Sequence, residues 1–321
     1  MRCPACGSFH TVKRGKRRGV QTYLCNDCGK QFSGARRSKT TSVKTLWYLY
    51  VFRKQTVREL EETYKKDRRT IRASLNTYMP PVKTHAPRAV HLIVDAVFFG
   101  QRRDDRSWCA VVARDPYAKE DLWWEFADTE TESAYTRCRQ DLEALGYTIL
   151  SVTGDGFSGI RRAFADTPFQ MCHVHMERLV VKGTTRNPQL EAGQVLLALV
   201  KTLPTTDSRT FHRRLHDYVE KYRSFLNERT WSPETGTWYW THEPLRRAVN
   251  SLFLFETWLF TFETNRDIPT TSNSLEGHFH HTQDITAIHC GLSRAQTERV
   301  LTSIFLAGTI APDNDTLKKI L

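Results

Sequence analysis

The sequence has no apolar run long enough to cross a bilayer. The longest, Leu252-Phe-Leu-Phe-Glu256-Thr-Trp-Leu-Phe260, is broken by Glu256 and spans too few residues. The first residues bring cysteine and arginine where a secretory signal would carry its hydrophobic core, so the expected location is the cytoplasm, in association with the nucleoid. Internal repeats and low-complexity tracts are also missing, which excludes a solenoid or a disordered polar chain. Acid is scarce at one end only. Residues 1–88 hold 5 Asp/Glu against 21 Lys/Arg, a balance of +16; the rest holds 30 against 26, a balance of −4, and the whole chain is +12. A basic head on a nearly neutral trunk suits a polyanion-binding module joined to a folded catalytic body. At 321 residues, 40% of them hydrophobic, the chain can hold two or three domains with one full-sized core.

Cysteine is limited to eight residues, and four are paired by spacing. Cys3-Pro-Ala-Cys6 and Cys25-Asn-Asp-Cys28 are 18 residues apart, and each is followed by a glycine, Gly7 or Gly29, where a knuckle turn needs positive φ. Four thiolates at this spacing predict one structural Zn²⁺ in a zinc ribbon over residues 1–35. Cys109, Cys138, Cys172 and Cys290 are scattered, which suits a reducing compartment and no disulfide framework. Between the knuckles, residues 11–14 and 20–24 suit short strands. Lys13, Arg14, Lys16, Arg17 and Arg18 read as a basic turn able to touch DNA phosphates.

Residues 36–86 read as a helical, helix-turn-helix-like DNA-binding domain. Trp47, Tyr48, Tyr50 and Phe52 form an aromatic stripe suited mostly to a core. Thr56-Val-Arg-Glu59 is a capping-box pattern, and Asp67 can cap a second helix that starts with Arg68, Arg69 and Arg72 near a major groove. A solvated helical linker would show the same charge pattern. Pro80, Pro81 and Pro87 end the module as a short linker.

From about residue 89 the pattern turns to strands. Runs 91–99, 108–114 and 122–126 read as three antiparallel strands, with 131–145 a helix, 148–153 a strand, 159–164 a short helix and 169–173 a fifth strand. The order βββαβαβ is that of a ribonuclease H-like α/β core, its first part over 87–176 and its last over 266–321. Residues 177–265 between them read as an all-α insertion, with amphipathic stretches at 190–203, 210–226 and 245–259. Three acids stand out in this frame. Asp95 ends the apolar run 91–95 on the first strand, Asp155 ends the fourth between Gly154 and Gly156, and Glu276 opens a helix 121 residues later, behind the capping candidates Thr271, Ser272 and Asn273. The first and fourth strands are neighbours in such a fold. Asp95 and Asp155 could therefore bridge two Mg²⁺ (or Mn²⁺) ions, with Glu276 completing a site for in-line attack on phosphodiesters. A lone strand-end Asp is more often a turn cap, but here the acids, strand order and basic head agree. Asp104, Asp105, Asp128 and Glu263 read as solvated.

These residues also match a family. The chain resembles bacterial insertion-sequence transposases of the Mutator-like superfamily, in the variant type with an N-terminal zinc ribbon. The resemblance spans essentially the whole chain. It rests on Cys-Pro-Ala-Cys-Gly at 3–7, Val94-Asp95, Gly154-Asp155-Gly156 and Gln170-Met-Cys172-His-Val-His175. Further blocks are Trp240-Thr-His-Glu-Pro-Leu-Arg-Arg247, Ile268-Pro-Thr-Thr-Ser-Asn-Ser-Leu-Glu276-Gly277 and His289-Cys-Gly-Leu-Ser293. It implies a DDE triad at Asp95, Asp155 and Glu276, a helical insertion before the last acid, and DNA cleavage followed by strand transfer. The implied partners are double-stranded element ends and target DNA, held by at least a homodimer. Cys172 and His175 fall on the family's CxxH signature, as active-site support, DNA contacts or plain core. Some related enzymes carry Lys or Arg seven residues after the last acid, where this chain has Gln283, so a helper cation would come from His280, His281 or Arg294. His278, with His280 and His281, reads as a phosphate contact or plain surface. Two rivals share parts of the pattern: a ribonuclease H-like nuclease or resolvase that cuts without joining, and a zinc-ribbon DNA-binding regulator with an inactive trunk.

Overall fold

Residues 11–17 extend as β1 (Thr11–Arg17), which pairs antiparallel with β2 (Val20–Cys25), and β2 pairs with β3 (Gln31–Ser33). The computed structural model that carries these strands describes residues 1–17, 19–33, 42–100, 107–309 and 311–320. The expected basic turn needs correcting: Lys13, Arg14, Lys16 and Arg17 lie on the exposed strand β1. Gly15, at φ +79°, takes up a bulge between Lys13 and Lys16, so pairing resumes beyond it. Arg18, the last member of that group, lies outside the described residues, as do Asp104 and Asp105.

Three helices follow, α1 (Val43–Val51), α2 (Val57–Tyr64) and α3 (Arg68–Asn76). Their starts are fixed by side chains. Ser42 accepts from Thr45 N, Thr56 and Glu59 form a reciprocal capping box, and Asp67 accepts from Thr70 N at 3.0 Å. Leu46, Trp47 and Tyr50 of α1, Leu60 of α2, and Ile71 and Leu75 of α3 are all buried. Their stripe does not close on itself. It shares one core with Ile285, Val300 and Ile304 from the far end of the chain, and the Trp47 indole donates to Ser303 Oγ at 2.9 Å. The charge boundary near residue 88 is therefore not a packing boundary.

The central sheet is mixed and five-stranded. β4 (Ala89–Phe99), β5 (Trp108–Asp115) and β6 (Glu120–Ala127) run antiparallel; α4 (Glu132–Ala144) leads to β7 (Thr148–Gly154), parallel to β4; α5 (Ser158–Ala163) leads to β8 (Phe169–Met171), parallel to β7. The order across the sheet is β6-β5-β4-β7-β8. β4 alternates with period two between two cores: Val90, Leu92 and Val94 pack with Tyr135 and Leu142 of α4, whereas Ile93 and Val97 pack with Leu275 and Phe305 near the C-terminus. The last strand is shorter than expected. It stops at Met171, because His173 N donates to Thr270 O and begins α6 (His173–Thr184), with Cys172 as its N-cap.

The expected insertion contains α7 (Glu191–Val200), α8 (Ser208–Lys221), α9 (Arg223–Leu226) and α10 (Glu243–Leu259), close to the periodic stretches. It is not all-α. β9 (Arg229–Ser232) and β10 (Thr237–Trp240) form an antiparallel hairpin with Trp231 opposite Trp238. Thr and Trp favour extended backbone, and Gly236 at φ +65° closes the turn after Pro233. The chain ends in α11 (Asn273–Ile288), α12 (Arg294–Ala307) and α13 (Asn314–Ile320). Among the described residues no helix is long and apolar enough to cross a membrane.

Ile304 is fully buried where α12 meets α1. Ile304→Ala is expected to cost about 2–4 kcal/mol in urea unfolding and to speed protease cleavage within residues 42–76. A stability loss with no added cleavage there would mean that the N-terminal helices stand without this contact.

Candidate functional site

Two knuckles bring the N-terminal cysteines together. Gly7 N donates to Cys3 O and Gly29 N to Cys25 O, with the glycines at φ +78° and +71°. Cys3 Sγ lies 3.6 Å from Cys28 Sγ, and Cys6 Sγ 3.5 Å from Cys25 Sγ. All four sulfurs are mutually within 4.8 Å. A tetrahedral zinc thiolate site needs sulfurs about 3.8 Å apart, so Cys3, Cys6, Cys25 and Cys28 could hold one zinc ion.

The acids are positioned by strand register. β4 and β7 pair in parallel with Ile93 opposite Thr153, so Asp95 and Asp155 each stand two residues further along adjacent strands. Asp155 Oδ1 accepts from Phe157 N at 2.8 Å, and Asp95 Oδ1 from Ala96 N at 2.8 Å. The flanking glycines are explained by space. A Cβ on Gly156 would sit 2.6 Å from the Phe255 ring, and one on Gly154 3.0 Å from Ile160. Glu276 arrives on the first turn of α11, whose preceding segment is tied down at three points. Thr153 Oγ1 donates to Pro269 O, His173 N to Thr270 O, and both Ser272 N and Ser272 Oγ to Cys172 Sγ at 3.3 Å. Ser272 thus binds across to α6, and its side chain does not cap α11. Asp95, His175, Arg178, Glu276, His280 and Gln283 all line one cleft of about 410 Å³.

Glu276 pairs with Arg178 and lies 3.7 Å from His175 Nδ1. Arg178 and His175, and none of His280, His281 and Arg294, lie at ion-pair distance from the last acid. Arg294 instead pairs with Glu298 and with Asp128, which stays 85% exposed as expected of it. The cue for Arg178 was its place one turn past His175 on α6. Burial pushes the Asp95 carboxyl up to about 7; His175 opposes this and the Asp155 charge adds to it. Burial works against a charged His175, but its hydrogen bond with Cys172 and the Asp95 charge lift it to about 9. Glu130, absent from the sequence reading, is raised by burial and by Asp155, and accepts from the Tyr135 hydroxyl at 2.5 Å. Nothing in its local sequence marked it, because Asp155 and His175, which act on its charge state besides Tyr135, lie far along the chain.

Among the described residues, Cys172, His175 and Glu276 also bring ligand atoms mutually within 4.8 Å, while Asp95, Asp155 and Glu276 form no such group with Glu276 turned to Arg178 and His175. Asp95 and Asp155 could hold a divalent cation, whose charge would offset the burial, and after it the Asp155 charge, that keep Asp95 from ionising. His278 is neither surface nor phosphate contact. It is buried 2.8 Å from Asp121, which also takes Arg114 at 2.5 Å. Glu263 accepts from Ser208 N and Oγ. Arg68, Arg69 and Arg72 are exposed at the start of α3, and Arg68 lies 3.5 Å from Glu61. Arg68 and Arg72 line a cleft shared with Arg58 and Arg299. No family model matches the chain, and no curated protein matches its sequence.

Purified protein is expected to contain one zinc per chain, and Cys25→Ser to lose it; metal analysis that finds none would remove the ribbon. The raised acid carries a pH signature. Asp95 binds its proton more tightly when folded, so its stabilisation is complete below 3.8 and is lost as pH rises through about 7. Without added magnesium, Asp95→Asn should therefore be more stable than wild type at pH 8, by on the order of 1–3 kcal/mol, and nearly equal to it at pH 4. Thermal melts at the two pH values check this, and an equal difference at both would contradict it.

Proposed function

We propose that the chain is a DDE transposase, with a ribonuclease H-like core, that cleaves and joins double-stranded DNA at the ends of an insertion sequence as at least a dimer. The observation that carries this reading is the register of β4 on β7, which stands Asp95 and Asp155 on adjacent strands, together with the one open cleft that Asp95 and Glu276 of α11 both line. Magnesium ions held by Asp95, Asp155 and Glu276 would activate water and the scissile phosphate. The chain's own groups supply the rest. Arg178 orients Glu276 and offers a guanidinium to a phosphate oxygen once the carboxylate turns inward. His175, raised to about 9, stays cationic at neutral pH beside the same oxygens. The N-terminal charge, spread over β1 and the start of α3, would hold duplex ends.

The test is to incubate the full chain with labelled duplexes from the DNA flanking its own gene, Mg²⁺ and a target plasmid. Asp95→Asn, Asp155→Asn and Glu276→Gln should each lower joining by roughly 1,000-fold or more while DNA binding is kept. Cleaved but unjoined ends would favour a nuclease, and binding with neither product would favour a regulator.

A further inference from the structure

Two surface features of the trunk have no part in that reading. The first is a run of cations leading away from the acid cleft. Arg178 and Lys182 lie one turn apart on α6, about 6 Å along its axis. Arg186 follows just beyond the helix and Lys201 closes α7; with Glu177 as the one acid of the lining, they border an open cleft of about 570 Å³. Arg178 borders this cleft and the acid cleft alike, so the two adjoin at its side chain. Among the described residues Lys182, Arg186 and Lys201 have no carboxylate at ion-pair distance, whereas Arg178 at the head of the run is held by Glu276.

The second feature is the β9–β10 hairpin. Its register puts Arg229, Trp231, Trp238 and Trp240 on one face. Trp231 is 47% and Trp238 62% exposed, their rings edge-to-face at 5.5 Å. Trp240 lies between two guanidinium groups, Arg229 at 4.2 Å and Arg246 at 3.8 Å. Indoles left open on so short a ribbon need a partner. Cations around them select a polyanion that also carries flat π-faces, which describes nucleobases on their phosphate strand. The two features adjoin. Arg246 belongs to the first turn of α10, and Pro244 O of that turn presses on Gly183, beside Lys182, where a Cβ would come within 2.4 Å.

We propose that the α6–α7 cleft and the β9–β10 hairpin form one track for an unpaired DNA strand leaving the acid cleft. Lys182, Arg186 and Lys201 take its phosphates, and Trp231 and Trp238 stack on its bases. Duplex DNA suits the indoles poorly, because its bases are already paired and stacked. The choice of DNA rests on the proposed function; the track itself does not need the cleavage chemistry.

The experiment uses the zinc-loaded full chain without added magnesium, with a fluorescein-labelled oligothymidylate and a labelled duplex of equal length read by anisotropy across a salt series. The combined Lys182→Ala, Arg186→Ala, Lys201→Ala variant should lose at least about 10-fold in oligothymidylate affinity and flatten the salt slope by about 2. Trp231→Ala with Trp238→Ala should weaken oligothymidylate by about 10-fold or more and leave the duplex nearly unchanged, and Phe at both positions should restore most of the loss. Matching melting curves keep misfolding apart from lost contacts. An unchanged salt slope, or an equal loss on both probes, would overturn the track. So would a Trp variant that leaves oligothymidylate binding intact but turns a dimer into a monomer in sedimentation, since the hairpin would then face a second copy. A chain that binds oligothymidylate through these residues yet never joins DNA would refute the proposed chemistry and leave the track standing.

Discussion

The bonds that hold residues 269–272 against the ends of β7 and β8 decide where Glu276 can be. Thr153, Cys172 and His173 present polar groups at the point where the sheet stops, and without partners each would cost about 1–3 kcal/mol on burial. Pro269 O, Thr270 O and the two donors of Ser272 satisfy them. Gln170 and His173 bind the end of α10 in the same way, both donating to Leu259 O. A chain that leaves the sheet after β8 and wanders through some ninety residues is thereby returned to the same edge. The convergence of the acids follows from satisfied backbone and side-chain polarity as much as from apolar packing.

α11 carries that constraint outward. Glu276 sits near one end, and at the other His289 stacks on Tyr50 at 3.7 Å and donates to Tyr50 O. Sixteen residues of helix separate these ends by roughly 24 Å. Beneath the helix is a buried polar set in which Arg114 pairs with Asp121 and donates to Ser274 Oγ, and His278 Nε2 lies 2.8 Å from Asp121. Such a set is costly unless every charge is paired, so it fixes the helix rotation more than it adds stability. The N-terminal helices and the acid cleft are thus two ends of one rigid element. If α3 holds duplex as proposed, that geometry would let it influence the placement of Glu276.

The cleft is electrostatically unfinished. Asp95 is pushed toward neutrality while Glu276 is neutralised by Arg178, and His175 is drawn into its cationic form between them. Acids and cations so arranged compensate one another at rest and, under the proposed function, would exchange partners with phosphate and metal. The proposed chemistry needs only that exchange, with no large motion of the sheet.

Local signals were legible wherever chemistry is local. CxxC spacing marked the cysteine cluster, Thr56 and Asp67 marked helix starts, and the apolar runs to Asp95 and Asp155 marked two strands, although β4 runs four residues past Asp95, because caps, knuckles and period-two burial are properties of a few consecutive residues. The β9–β10 hairpin was legible too, from Thr, Trp, Pro233 and Gly236, but helical periodicity on both sides masked it. Other features depended on residues far apart in the chain. Neither the pairing of Arg178 with Glu276, the burial of His278 beside Asp121, the raised Glu130, nor the shared core of α1 and α12 leaves a mark in any short window. Each is set by which sheet edge and which helix face meet, and only the folded chain decides that.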